Sequence, residues 1–528
     1  MGSLPENSPR DYPDALDPSL VLTQPTEAEK RQTWSLNHGE WGGPLTLEEY
    51  MEREPFLAST PLASDGGMTH WILTEPPSSS HNSSSVLDQK RKVLASCETI
   101  RKAVLYVPAG GSEVREGYGY GIGSVYTYPE FRGRKYAARM LKDLGVVLRT
   151  WPAEQKRLQA KDGLLIQQRQ DQGHGYTNGV VQVNSAVKSL SGHVKDEDRA
   201  PLKSFCSTLW SDIGKNYYAS KGWPAFPSEH VEFSTLPGDV TSSSTSSTGI
   251  GIDAVLDQSR IVEMSCSPIN SSRIATLCRD DEAQLRRQMI KHARETGRAA
   301  FAYAPRPDVF RWHWAREEFL STRQFPDRST GPSTGVVVTV TTISSSTSTL
   351  GAQQNGHHTH TNGNGNGNSN GNGVTIKVEQ DEEETKAEVE EEGQLKTLRM
   401  WATWSRNYGK DAANHPENNT LYILRLVIDD GSSAFRHSFH TTPGDPDPKA
   451  LQAAFREIIY GARAVAQSWD CGKVQLWNPE PLVRELVAGC GFPHKYVDRE
   501  DSVPSLMWYG FEDESEVDWL ANEKYCWC

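Results

Sequence analysis

The sequence predicts a mixed α/β fold in two units, and three observations carry that prediction. Short β-rich runs alternate with amphipathic helical stretches in both halves of the chain. At 528 residues the chain is too long for one core. A Ser/Thr-rich linker at 236–257 separates two blocks of core-forming pattern, and tracts rich in Ser/Thr, then Asn/Gly, then acids interrupt the second.

Taken in order, residues 1–17 read as a flexible N-terminus and 18–235 as a first mixed α/β domain with a polar loop insert at 76–89. Within it LVLTQPT (20–26) is strand-like, and 26–41 and 45–54 are helical. The second helix carries Thr46 as its cap and Glu49 three residues on, the pattern of a capping box. Residues 69–75, 93–107 and 121–129 read as strands, a helix follows over about 133–150, and SFCSTLW (204–210) is a further strand. A short helix (KNYYASKG) and a strand (HVEF) close the domain. Residues 236–257 form a Ser/Thr-rich linker. Residues 258–328 and 395–528 form a second α/β domain that echoes the first, interrupted by a disordered low-complexity insert at 329–394. Its expected elements are an amphipathic helix (281–297), a strand (421–430), a helix (451–469) and strands at GKVQLWNP and PSLMWYGF.

Charge narrows the partners. The net charge is −13, and DEEETKAEVEEE (381–392) alone supplies −7 of it. With no basic excess, nucleic-acid binding has little electrostatic support. No run of 18 apolar residues marks a membrane span, and the polar, proline-rich start lacks the apolar core of a signal peptide, so a cytoplasmic protein is expected. The eight cysteines show no CxxC or Cys/His spacing. Reduced thiols and no metal are therefore expected, and HHTH (357–360) is read as low complexity. The alternating glycines of GYGYGIG (117–123) precede a strand, not a helix, and read as a flexible or bulged strand entry rather than a dinucleotide fingerprint.

The stretch YPEFRGRKYAARML (128–141) carries most of the chemistry. A β-rich run ends at Pro129, and Arg132, Gly133, Arg134 and Lys135 open an amphipathic helix. Basic residues there oppose the helix dipole, which a bound anion would explain. The free N–H groups of the first turn suit a phosphate. An ordinary helix start with exposed arginines is the plainer alternative.

SVYTYPEFRGRKYAARML resembles the acyl-CoA-binding motif of the general N-acetyltransferase (GNAT) superfamily, with Arg132 at its first position and Ala137 at its last. Lys135 stands where that family usually has glycine. LWSDIGKNYYASKGW (209–223) is similar to the family's Tyr-x-x-x-Gly-Phe segment through Tyr218, Gly222 and Trp223. LASCETIRKAVL, WHWAREEF (312–319) and WLANEKYCWC resemble the fungal lysine N-acetyltransferase family, which acetylates the side-chain amine of free L-lysine.

The resemblance implies acetyl-CoA as co-substrate, a small-molecule amine acceptor and direct attack in a ternary complex. It places the diphosphate on the backbone of Arg132, Gly133, Arg134, Lys135, Tyr136 and Ala137, with Lys135 donating from an ordinary helical conformation. Ser124, Val125 and Tyr126 form the exposed strand edge, and Tyr218 is the general acid. For the base, Glu98 is the first candidate, because a lone carboxylate among apolar strand residues costs free energy unless it is used or paired with Arg101 or Lys102. Glu40 in NHGEWGG is the second. Arg316 is a candidate for an acceptor carboxylate, although its acidic neighbour points rather to a structural ion pair. NEKYCWC is expected to pack against the first domain. A protein or polyamine acceptor, or a non-catalytic CoA-binding scaffold, are the alternatives.

Overall fold

The computed structural model describes residues 12–76, 91–151, 203–235, 261–328, 334–344, 394–429, 446–510 and 512–527. The expected tracts at 239–249 and 357–392 lie outside those residues, as does nearly all of the loop insert at 76–89.

Two sheets organise the chain. In the first, β1 (Val21–Thr23), β2 (Met68–Thr74), β3 (Val93–Val107), β4 (Arg115–Thr127), β5 (Lys203–Ser211) and β14 (Val503–Trp508) lie side by side. On the same sheet β8 (Ala299–Tyr303) pairs with the far half of β3, and β15 (Val517–Trp519) pairs with β8. The second sheet has the order β13 (His494–Asp498), β6 (Glu229–Ser234), β12 (Lys473–Trp477), β11 (Thr420–Asp429), β10 (Gln394–Asn407), β9 (Gly335–Ser344) and β7 (Ile261–Pro268). The helices are α1 (Glu27–Trp41), α2 (Leu47–Ala58), α3 (136–151), α4 (Asn216–Ala219), α5 (Arg273–Thr296), α6 (Pro307–Gln324), α7 (Pro448–Ser468) and α8 (Pro481–Gly489).

The second sheet echoes the first. In each, an antiparallel set ends in one parallel pair, β4 with β5 and β11 with β12, and a helix lies between the two strands in sequence. That helix is α3 in the first sheet and α7 in the second.

The strands do not sort by sequence halves, however. The last strand expected in the first domain, β6, pairs with β12 in the second sheet, while β14, β8 and β15 of the second domain complete the first. Strand pairing is a long-range choice, and composition shifts along the chain do not report it. The exchange welds the units together. One buried cluster contains Ile100, Phe205 and Trp210 of the first sheet, Phe310 and Trp312 of α6, and Val337, Trp401 and Trp477 of the second sheet.

Two local expectations fail. GVVVTVTTIS was expected within the disordered insert, yet it is β9, inside the second sheet between β7 and β10. Val337, Val338 and Val340 are fully buried there. Consecutive β-branched residues suit a strand covered on both faces, and the Ser/Thr content around them masked that signal. GYGYGIG lies within β4 and is no flexible entry, although the expected bulge is there as a register slip against β5 between Tyr118 and Gly119. A Cβ at Gly119 would stand 2.8 Å from Val104 and 2.9 Å from both Cys206 and Tyr303. Close packing demands that glycine.

Candidate active site

The site begins where β4 leaves β5. Their pairing ends at Ile122 and Leu209, while β4 stays on β3 as far as Thr127, opposite Ala95. Among the described residues, no strand covers the other edge of β4 beyond Ile122. The β3–β4 register slips by one between Ser96 and Glu98, and Ser124 has φ 51° at that bulge. A bulge re-aims side chains and turns backbone away from the ladder. Ser124 and Val125 therefore line a chamber of about 230 Å³ instead of pairing with β5.

Glu98, on β3 across from the bulge, points into this chamber. Its Oε1 accepts a 2.8 Å hydrogen bond from Ser124 Oγ. Burial holds its pKa above the ordinary carboxylate value, against the lowering effects of Ser124 and Arg53. The expected partners are elsewhere: Arg101 lies against the Tyr118 ring, and Lys102 Nζ donates to the carbonyls of Cys526 and Trp527 at 2.7 and 3.0 Å. His70 Nε2 is 3.4 Å from Glu98, but burial drops its pKa to about 4, so at neutral pH it brings no charge.

Tyr218, carried by α4, lines the same chamber. Its hydroxyl makes no hydrogen bond among the described residues, and burial raises its pKa. Glu40 does not enter the chamber. It is more than half exposed and faces Arg132 at 3.7 Å.

Sequence reasoning missed Arg53 and Glu54, which also line the chamber. Arg53 donates to Glu54 Oε1 at 2.6 and 2.9 Å. A signal was present, because Tyr50, Arg53, Glu54 and Leu57 form the buried stripe of α2, and two charges on such a stripe call for an explanation. From the second half come Trp312, Arg316 and Trp527. The C-terminal segment thus packs against the first sheet, as expected.

Beside the chamber, a groove of about 720 Å³ is lined by Gly133, Arg134, Lys135, Ala138, Lys142 and Lys221, with Tyr12–Leu16 forming a wall. α3 starts at 136, not 133. Among the described residues, no backbone carbonyl accepts from the N–H groups of residues 133–138. Those free donors, with Arg134 and Lys135 exposed around them, fit a diphosphate. Two side chains of the motif serve other ends. Tyr136 is buried and donates to the Pro13 carbonyl at 2.6 Å, and Arg132 Nε donates to the Thr127 carbonyl at 3.1 Å.

Lys135 corrects an expectation. It is not helical but left-handed, with φ 67°, beside Gly133 at φ 80°. The glycine usual at this place in the motif has a physical reason, since a Cβ there costs roughly 1–2 kcal/mol. Lys135→Gly should therefore raise stability by about 1 kcal/mol in denaturant unfolding and preserve acetyl-CoA affinity. Lys135→Glu should weaken that affinity by repulsion. Equal affinity in calorimetry for the glutamate variant would place the phosphates elsewhere.

Comparison with known proteins adds three findings. Residues 254–528 match the family model described as the LYC1 GNAT-like C-terminal domain. A lysine acetyltransferase of Yarrowia lipolytica is 26% identical over 203 residues, covering 38% of this chain and 39% of that protein. The chain thus spans well under half the length of this curated relative. Among solved structures, a probable N-acyltransferase of Enterococcus faecalis is 10% identical, with 92% of this chain and 72% of that one covered at a TM-score of 0.36.

Proposed function

We propose, from the premise that this chain belongs to the family of the LYC1 GNAT-like C-terminal domain, that it is an N-acetyltransferase whose acceptor is the side-chain amine of free L-lysine. The observation that carries the reading is the juxtaposition of Glu98, the Ser124 bulge and Tyr218 in one chamber, next to a groove of free N–H groups.

Acetyl-CoA, seated with its phosphates on residues 133–138, supplies the acyl group. Glu98 in its ionised form takes a proton from the acceptor ammonium, whose unperturbed pKa near 10.4 would otherwise leave no lone pair for attack. The amine nitrogen forms its bond to the acetyl carbon as the carbon–sulfur bond breaks. A backbone N–H freed from the ladder at the bulge would serve as the donor a developing oxyanion needs. Tyr218 gives its proton to the leaving sulfur and recovers one from the acylated nitrogen, so each turnover releases one proton to solvent through Glu98. The raised pKa of Glu98 makes it a better base than a surface glutamate.

Of the charged residues that line the chamber, Arg53 is paired with Glu54, Asp212 accepts from Ser502 and Glu98 is the base, which leaves Arg316 as the counter-charge for an acceptor that carries a carboxylate. The test is to incubate the full chain with acetyl-CoA and L-lysine, spermidine or a histone peptide, and to identify the products by mass spectrometry. N6-acetyl-lysine as the main product supports the reading. Its absence, with acetylated spermidine or peptide in its place, would overturn the choice of acceptor.

A further inference from the structure

We propose that Arg316 seats the carboxylate of the acceptor, so that the second unit completes the acceptor pocket and selects an amino acid over a diamine of the same length. The proposal rests on the acetyl-transfer reading above and deepens it.

α6 brings Arg316 to the wall of the cavity that Glu98, Ser124 and Tyr218 also line. Its contacts are neutral. Nη1 donates to Asn407 Oδ1 at 2.8 Å, and the guanidinium lies 5.6 Å from the centre of the Trp527 ring. Among the described residues, no carboxylate stands within 4 Å of it. The structural ion pair expected from its acidic neighbour does not form, because Glu317 accepts instead from the backbone N–H and the guanidinium of Arg406.

The other cations nearby are committed. Arg53 is held by Glu54 and the Trp41 carbonyl, and Lys102 donates to the carbonyls of Cys526 and Trp527. Arg316 is half-buried, and the Glu54 charge that reaches it is already paired with Arg53, so its guanidinium is partly desolvated without a carboxylate of its own, which costs free energy. Burial pulls the pKa of Arg316 down to about 10, which records the same cost. A carboxylate arriving with the substrate would relieve it through two parallel N–H···O bonds, which lysine in place of arginine could not reproduce. Asn407 holds one nitrogen and so fixes the plane of the fork. The arrangement puts the acceptor's anion on the second unit and its amine at Glu98 on the first.

The experiment measures kcat/KM with L-lysine, 6-aminohexanoate and cadaverine for the wild type, Arg316→Gln and Arg316→Lys. In the wild type, both carboxylates should outperform cadaverine. Arg316→Gln should lose about 10- to 150-fold on lysine and 6-aminohexanoate, mainly through KM, the range expected for hydrogen bonds to a charged group. Its loss on cadaverine should be at least about tenfold smaller. Arg316→Lys should recover only part of the loss. Equal losses on lysine and cadaverine, with acetyl-CoA affinity intact, would overturn the assignment of Arg316 alone. A wild type that acetylates none of the three would overturn the acetyl-transfer reading, and this assignment with it.

Discussion

Glu98→Gln is expected to lower kcat for amine acetylation by about 10²- to 10⁴-fold, the usual contribution of a positioned general base. Glutamine keeps the shape and can still accept the hydrogen bond from Ser124. It cannot take a proton. Acetyl-CoA affinity should not change, since the basic groove lies beside the chamber and is lined by other residues. The pH profile gives an independent reading. Only the ionised carboxylate is a base, and burial raises the Glu98 pKa above its ordinary value. Activity should therefore rise with pH through that elevated pKa and fall away on its acid side. In the glutamine variant this limb should vanish. An unchanged profile, or a loss confined to KM, would remove Glu98 from the proton path and leave it as a hydrogen-bond partner of the bulge.

The largest effect on stability should come from Arg425→Met. Arg425, on β11, is buried and donates to both oxygens of Asp281 on α5, at 2.7 and 3.0 Å. It also pairs with Glu523, whose other oxygen accepts from Leu426 N–H at 2.9 Å. Removing the guanidinium strands two buried carboxylates, and breaking such a group costs about 3–5 kcal/mol. Burial already raises Glu523 to about 7, so it would take up a proton in the variant.

Glu523 anchors the segment that carries Trp527 into the chamber wall. The variant should therefore show a higher KM for the amine as well as a lower melting temperature. Exchanging Arg425, Asp281 and Glu523 together for apolar residues should restore most of the melting temperature. A single variant that melts like the wild type would mean that water or rearrangement satisfies the carboxylates.

How much of this was legible depends on the range of the interactions involved. The helix starts at Thr26 and Thr46 followed local chemistry, and both form with the Thr–Glu capping box written in the sequence. β3 matched its apolar pattern end to end. β9 did not, because buried strands lack alternation and its neighbours in sequence are polar.

Within the site, Ser124 and Tyr218 were nameable from the order of the motif, and Glu98 from its being a lone carboxylate in an apolar strand. Glu40 was named from the turn expected between the first two helices, yet it lies in the last turn of α1, at the surface against Arg132. Lys135 was nameable, but its left-handed backbone was not, because a torsion angle is decided by the turn that must close there.

The sequence by itself determined the mixed α/β class and the strand–turn–helix at 121–150, and it named one candidate acid and two candidate bases, because each of these readings rests on residues close together in the chain. The tertiary structure decided what lies around them. It exchanged β6 and β14 between the sheets, placed Arg53 and Glu54 in the chamber and brought Arg316 and Trp527 from the second half into the same chamber as Glu98. Those juxtapositions join residues far apart in the chain, by hundreds of positions for Arg316 and Trp527. Burial and pairing across two cores select them, and no local pattern encodes that selection.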